Sequence, residues 1–359
     1  MKFGVVIAPR IDDWQIFREA EDLGFDAAWA CDSQMLWSDC YATLALAAHN
    51  TSRITLGPGV AAAGTRLAPV TAHSIASISK LAPGRTVLAI GTGHTSMRVL
   101  GQKPMKLSDF EEYVRVLRTL LAGEETEFHL AGRSGHARFL NRDHGFVDLE
   151  HPIPVIVGAN GPRALGLAGA LGDGVMTIAT TRSDDVEYML SAVRAGAQQS
   201  GRDLLADFPV TSMTNVVLLE PGEEVTSDRV VSLTDSWVGA AIHFAYEMWQ
   251  VRHDEAAVPP PFRSFWEEYV DYVDAMETPP DRRYLQIHDG HATFLPAAER
   301  RFLTEDAIRA VTIVGTVDEI ADQIKAAEAA GVTELAIQSP VATARQVMRD
   351  FAEKVAPCL

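Results

Sequence analysis

The sequence predicts an α/β protein built as a (β/α)8 barrel, and three observations predict it. Eight short apolar, β-branched runs are spread along the chain, each beside a segment of helical periodicity. The first run is followed by "APRIDDW", so the glycine-rich turn of an open dinucleotide-binding sheet is missing from its place. The 359 residues exceed the roughly 250 of a plain barrel by about a hundred, which two stretches between strands supply as insertions.

The apolar run at 2–8 is the first strand. Residues 14–23 carry Ile16, Phe17, Ala20 and Leu23 at helical spacing, and Gly24 closes that helix. "FDAAWACDS" is the second strand, and 41–49 is an alanine-rich helix. "ITLGPGVAAA" is the third strand, with a helix over 69–81 that has proline in its first turn. "TVLAIGTG" is the fourth; a helix over 108–121 follows, with Ser108 as its cap and Glu111 completing a capping box. The pattern resumes with "IPVIVGAN" and a helix over 162–171, then "GVMTIAT" and a helix over 183–199. "DFPVTSMTNVVLL" holds the seventh strand. A helix over 317–330 precedes the eighth, "VTELAIQSP", and a helix over 342–355 follows it.

Residues 124–151 form a polar insertion. Residues 221–303 form a longer one, which carries most of the aromatics and reads as helices joined by proline turns. Insertions of this kind shape the pocket at the active-site face of a barrel. The expectation is therefore one barrel domain over 1–359, with 221–303 covering its mouth.

Composition narrows the function. A net charge of −17 and a pI near 5.0 argue against nucleic acid or an anionic membrane surface as the main partner, since both need basic patches. No apolar run approaches a membrane span. Cys31, Cys40 and Cys358 have neither zinc nor redox-pair spacing. Reduced thiols and an N-terminal run too short for a secretion signal make the cytoplasm the expected compartment.

Catalytic residues of such a barrel sit at the C-terminal ends of its strands. Those ends hold Pro9 and Arg10; Asp32, Ser33 and Trp37; residues 61–65; Thr92, Gly93 and His94; Asn160 and Gly161; Thr180, Thr181 and Arg182; and Gln338 and Ser339. They offer no paired carboxylates at glycosidase spacing, no metal-binding cluster and no nucleophile elbow. Small residues and backbone N–H groups suit a large flat cofactor better than hydrolysis. "GTGHTS" and "GANGPRA" each place small residues before a helix, where a phosphate can be held, and Arg163 and Arg182 can add charge-assisted bonds.

The run from "ITLGPGVAAAGTRLAPVTAHS" through "TVLAIGTGHTSMRVLG" to "LSDFEEYVRVLRTLLAGE" resembles the luciferase-like flavin oxidoreductases. "IPVIVGANGPRALGLAGALGDGVM" and "VGTVDEIADQIKAAEAAGVTELAIQ" extend the likeness over most of the chain outside the insertions. It is nearest to the deazaflavin branch with F420-dependent methylenetetrahydromethanopterin reductase and glucose-6-phosphate dehydrogenase. The resemblance implies a cofactor at the barrel mouth. It places Asp32 and Trp37 beside the ring, and Val60, Ala61 and Ala62 on a third-strand end where a non-prolyl cis peptide bulges against that ring. Thr92 and Gly93 fall on one phosphate loop, Asn160 and Gly161 on a second, and Thr181 or Arg182 at a basic phosphate contact. His94 falls where some members carry an acidic proton donor. Ser33 replaces the usual histidine after the second strand, and the Glu-His-His run of FMN monooxygenases is absent there.

The resulting expectation is hydride transfer between coenzyme F420 and a small organic substrate, with His94 as general acid or base and no metal. The resemblance also implies a homodimer. Two alternatives are an FMN-dependent monooxygenase using oxygen and a non-catalytic flavin-binding barrel. His288 and His291 are read as structural or pocket-wall residues in a turn, and Arg282 and Arg283 as a solvated surface. The aromatics of 262–272 are read as insertion core or a subunit contact.

Overall fold

The computed structural model describes residues 1–130, 132–252 and 258–359. Residue 131, in the first predicted insertion, and residues 253–257, in the second, lie outside the described residues. The chain divides into two compact units, Met1–Ser212 with Ala330–Ala336, and Met213–Ala329 with Ile337–Leu359.

The strands in chain order are β1 (Lys2–Ile7), β2 (Ala27–Ala30), β3 (Thr55–Pro58), β4 (Ala61–Ala62), β5 (Leu88–Gly91), β6 (Thr126–Leu130), β7 (Arg133–Ala137), β8 (Val155–Gly158), β9 (Gly174–Ile178), β10 (Val210–Leu218), β11 (Thr312–Gly315) and β12 (Glu334–Gln338). The main sheet runs β3-β2-β1-β12-β10-β9-β8-β5-β4, with β11 joined to β10. It closes on itself in the first unit. The Leu56 N–H donates to the Arg85 carbonyl and the Val87 N–H to the Leu56 carbonyl, which joins β3 to the strand entering β5. The Lys2 N–H donates to the Thr333 carbonyl, and the Thr333 N–H to the Val210 carbonyl. With β3 and β4 counted as one stave, interrupted by the cis peptide Gly59–Val60, the ring has the eight staves expected from the apolar runs. Every residue of β2, β5 and β12 is buried, so these strands read as continuous apolar runs and not as alternating ones.

Around the ring lie α1 (Gln15–Asp22), α2 (Cys40–Asn50), α3 (Ala68–Ser79), α4 (His94–Arg98), α5 (Leu107–Leu121), α6 (Pro162–Leu171) and α7 (Ser183–Gln199). Their local signals are mostly those expected. Asp39 caps α2 by accepting the Ala42 N–H at 2.8 Å, and Pro69 occupies the first turn of α3. The capping box at Ser108 does not form. Helix α5 starts one residue earlier, at Leu107 with Lys106 as its cap, so Ser108 is already inside the first turn and its hydroxyl donates to Asp109. The first insertion contains the antiparallel hairpin β6–β7.

The second unit carries α8 (Asp228–Arg252), α9 (Trp266–Asp274), α10 (Arg283–Ile287), α11 (Glu305–Val311), α12 (Val317–Ala330) and α13 (Ala344–Asp350). The second insertion is helical, as its composition predicts. Its core stacks Tyr246, Trp266, Tyr269 and Phe302 at ring separations of 5.1–6.5 Å. Two buried His–Glu pairs sit in the same unit: His243 Nε2 with Glu299 at 2.6 Å and His288 Nε2 with Glu247 at 2.9 Å. His288 thus serves the insertion core. Arg283 is not a solvated surface residue: its side chain is 15% exposed and paired with Asp274 at 2.7 Å.

Candidate functional site at the barrel mouth

The site grows from the order of the strands. β2, the β3–β4 stave, β5, β8 and β9 are successive neighbours. The loops leaving their C-terminal ends therefore stand side by side. These loops bring Asp32 and Trp37, Ala61 and Ala62, Thr92–His94, Asn160 and Gly161, and Thr181 and Arg182 to one face of the first unit. Sequence distances of up to 150 residues between Asp32 and Arg182 (182 − 32 = 150) are thus removed by parallel pairing alone.

Asp32 is the most heavily engaged of these residues. Its side chain is 3% exposed. Oδ2 accepts the Ala62 N–H at 3.1 Å, and Oδ1 accepts the Gln34 amide at 2.7 Å. Arg66 approaches Oδ1 at 3.8 Å while bonding Asp39 at 2.5 Å. Burial leaves the Asp32 carboxyl above its usual range, and the Ala62 N–H and the Arg66 guanidinium offset only part of that rise. Its loop is pinned at both ends. Ser96 Oγ donates to the Asp32 carbonyl at 2.7 Å and lies 3.1 Å from Ser33 Oγ, while the Ser38 N–H donates to the Pro9 carbonyl. Ser33, where the resemblance leads one to expect histidine, is thereby a tie between the second strand's loop and α4.

The β3–β4 stave carries the cis peptide between Gly59 and Val60, at the start of the expected stretch around 60–62. Val60 projects against β5 and β8. A Cβ at Gly91 would lie 3.1 Å from Val60 Cγ2, and one at Gly158 would lie 3.0 Å from Cγ1. Glycine at both positions leaves room for this side chain between the staves. Ala61 and Ala62 are buried behind it.

Gly93 sits in the left-handed region (φ 78), and a Cβ there would be 3.1 Å from that of Ala62, so the turn before α4 requires glycine. His94 follows as the first residue of α4, half-buried. Helix α4 has only five residues, so the "GTGHTS" loop presents a histidine at a tight turn more than a full helix terminus. The second loop differs. Gly161 begins the ten-residue α6 with no side-chain cap, and a Cβ at Gly161 would meet nothing within 4 Å. Arg163, in the first turn of α6, and Arg182, at the cap position of α7 after the neighbouring strand, are exposed. Asn160 Oδ1 accepts the Ile178 N–H at 2.9 Å, which ties β8 to β9. Met35 and Ala179, on two of these loops, hold left-handed backbone (φ 69 and 52), a conformation that non-glycine residues keep mainly where a site over-determines them.

Sequence reasoning missed Gln34, Arg66 and Ser96. Arg66 alone had a visible signal, as the single charge in "VAAAGTRLAPV". Gln34 and Ser96 are ordinary residues whose role exists only through the contacts they make with Asp32 once its loop is folded.

Comparison with known proteins agrees with this geometry. The model of the luciferase-like monooxygenase family matches residues 12–334. A 5,10-methylenetetrahydromethanopterin reductase of Archaeoglobus fulgidus is 27% identical over 351 residues, which cover 95% of this chain and 94% of the relative. The enzyme of the same name from Methanolobus tindarius is 33% identical over 210 residues, and there the match spans 61% of the relative's length. The solved coenzyme F420-dependent tetrahydromethanopterin reductase of Methanopyrus kandleri superposes with a TM-score of 0.74 at 22% identity, covering 99% of both chains. A (β/α)8 barrel and a family match over most of its length together establish that the chain belongs to the luciferase-like monooxygenase family.

Proposed function

We propose that this protein is a deazaflavin-dependent oxidoreductase that binds coenzyme F420 at the C-terminal mouth of its barrel. When bound, the cofactor supplies the hydride acceptor or donor for a small organic substrate. The observation that carries the reading is the uncapped start of α6 at Gly161, flanked by exposed Arg163 and Arg182. In a chain of net charge −17 this is a local basic exception, and it faces outward beside free space. An anionic cofactor tail fits it: first-turn N–H groups and the helix dipole meet phosphate, and the guanidinium groups meet the further charges. The relatives named above as methylenetetrahydromethanopterin reductases, and an F420-dependent hydroxymycolic acid dehydrogenase of Mycobacterium tuberculosis with 34% identity over 197 residues, support the same cofactor.

The protein's own residues have distinct parts in this reading. Thr92, Gly93, Asn160, Gly161, Thr181 and Arg182 line the cofactor's phosphate side. Val60, Ala61 and Ala62 form the wall under its ring, and Trp37 flanks the ring from the second strand's loop. Asp32 holds the Ala62 backbone in place with its carboxylate. His94 exchanges a proton with the substrate. Hydride transfer needs close, aligned carbons, so rigid walls built from staves contribute much of the rate. The working form is proposed to be a cytoplasmic homodimer.

Fluorescence titration with oxidised and reduced F420, and with oxidised and reduced FMN, tests the reading. Preferential binding of F420 is the expected result. Preference for reduced FMN would move the protein to oxygen chemistry, and binding of neither would sink the cofactor reading. Among F420-binding preparations, His94→Ala should leave affinity within a few-fold and lower turnover about 100-fold or more.

A further inference from the structure

The mouth contains a charged side chain that no step above uses. Arg66 follows the short helical turn Ala63–Thr65, just beyond the wall residues Ala61 and Ala62. Its side chain is 19% exposed. The guanidinium bonds Asp39 Oδ2 at 2.5 Å, stands 3.8 Å from Asp32 Oδ1 and lies over the Tyr41 ring at 4.5 Å. Asp39 is itself fixed as the cap of α2, and the Tyr41 ring is 7% exposed, so the arginine is held from two sides. A planar fork anchored in this way is a fixed charge and not a mobile one.

The groups facing Asp32 make that charge matter. Asp39 is a second anion and opposes ionisation of Asp32. The Cys31 thiol and the Tyr113 hydroxyl, both pushed up to about 12 by burial, are uncharged near neutrality. So are the Cys40 thiol and the Tyr41 hydroxyl, which burial pushes well above their usual ranges. Among the described residues whose charge acts on Asp32, Arg66 is the cation. A buried carboxylate without compensation takes up a proton. An ionised one makes a charge-assisted bond to a backbone N–H, roughly twice as strong as a neutral one.

We propose that Arg66 is a positioning residue: its anchored guanidinium keeps Asp32 ionised, and ionised Asp32 holds the Ala62 backbone as the wall on which the cofactor ring rests. The inference rests on the F420 reading of the mouth. It assigns the alternation Asp39–Arg66–Asp32 a task beyond folding, which is to make the wall insensitive to pH over the working range.

The test is F420 affinity, followed by cofactor fluorescence from pH 5 to 9, for the wild-type protein, Arg66→Met, Arg66→Lys and Asp32→Asn. The wild-type affinity should be flat through neutrality. Arg66→Met should bind about tenfold more weakly at pH 7 and recover toward the wild-type value as pH rises, because Asp32 then ionises without help. Arg66→Lys should restore most of the neutral affinity, since it returns the charge. Asp32→Asn imitates the protonated side chain and should bind weakly at every pH. If Arg66→Met does not fold, the lysine and asparagine variants still decide: a pH-dependent loss in Asp32→Asn, or an Arg66→Lys profile unrelated to charge, overturns the inference. An Arg66→Met protein that binds with the flat wild-type profile, however weakly, overturns it as well and leaves the F420 reading standing. A wild-type protein that binds no F420 removes both.

Discussion

Two buried carboxyl groups stand at opposite ends of the same barrel; burial pushes both up, and they are given different partners. Asp32, at the mouth, has a backbone N–H, an amide and a guanidinium around its oxygens. Glu334, at the start of β12 and so at the foot, is 9% exposed and bonds the Trp29 indole N–H at 2.6 Å. Gly4 makes room for it: a Cβ there would lie 2.7 Å from Glu334 Oε1. Burial pushes the Glu334 carboxyl up to about 7, with the Trp29 bond offsetting part of the rise. The difference teaches what partners are for. A carboxyl with several donors and a fixed cation has part of the burial penalty offset and can hold backbone in place. One with a single neutral donor sits on the edge of protonation and contributes packing with a pH-dependent penalty.

The largest expected effect tests the foot. The folded Glu334 carboxyl titrates near 7 and an unfolded one near 4.5, so the folded chain retains a proton between those values. Its contribution to stability is fully present below about 4.5 and is lost as pH rises through 7, a loss of about 3 kcal/mol. Glutamine keeps the shape and an acceptor for Trp29 but cannot ionise. Urea unfolding from pH 5 to 8.5 should show this decline in the wild type and lack it in Glu334→Gln. A wild-type profile as flat as the variant's would show that the two ends do not differ.

At the mouth, Asp32→Ala should weaken F420 binding by roughly 30-fold, about 2 kcal/mol, because the Ala62 N–H loses its acceptor. Fluorescence titration reads it. Wild-type affinity in this variant would place Asp32 with Glu334 as a packing residue. The smallest effect sharpens the mouth's own map. Gly161→Ala has room for its methyl group and an extended backbone (φ −92, ψ 153), so stability should stay within about 0.5 kcal/mol. Its methyl would occupy the space assigned to phosphate, and affinity should fall about threefold. Unchanged affinity would shift the phosphate to the Thr92–Gly93 loop.

The sequence by itself determined the architecture. The eight apolar runs became the eight staves, and the helices over 162–171, 183–199 and 317–330 begin and end where periodicity and turn residues put them. Burial is a property of residue type and period, and in a parallel barrel both faces of a strand are covered, so the signal is dense. The loops of the mouth were visible for the same reason: small residues and glycine at strand ends are written in order along the chain. Helix α5 shows where local signals fail, since a capping motif one residue out of register with the true start does nothing.

What only the tertiary structure decided is which side chains meet. Asp32 and Ala62 are 30 residues apart, Ser96 reaches the Asp32 carbonyl across 64, and Trp29 reaches Glu334 across 305. No local pattern encodes those distances, because hydrogen bonds and ion pairs depend on the register in which staves are laid side by side. The charge state of a carboxyl depends on the same register. Asp32 and Glu334 look alike in the sequence; one has a guanidinium brought to it by the fold, and the other has an indole.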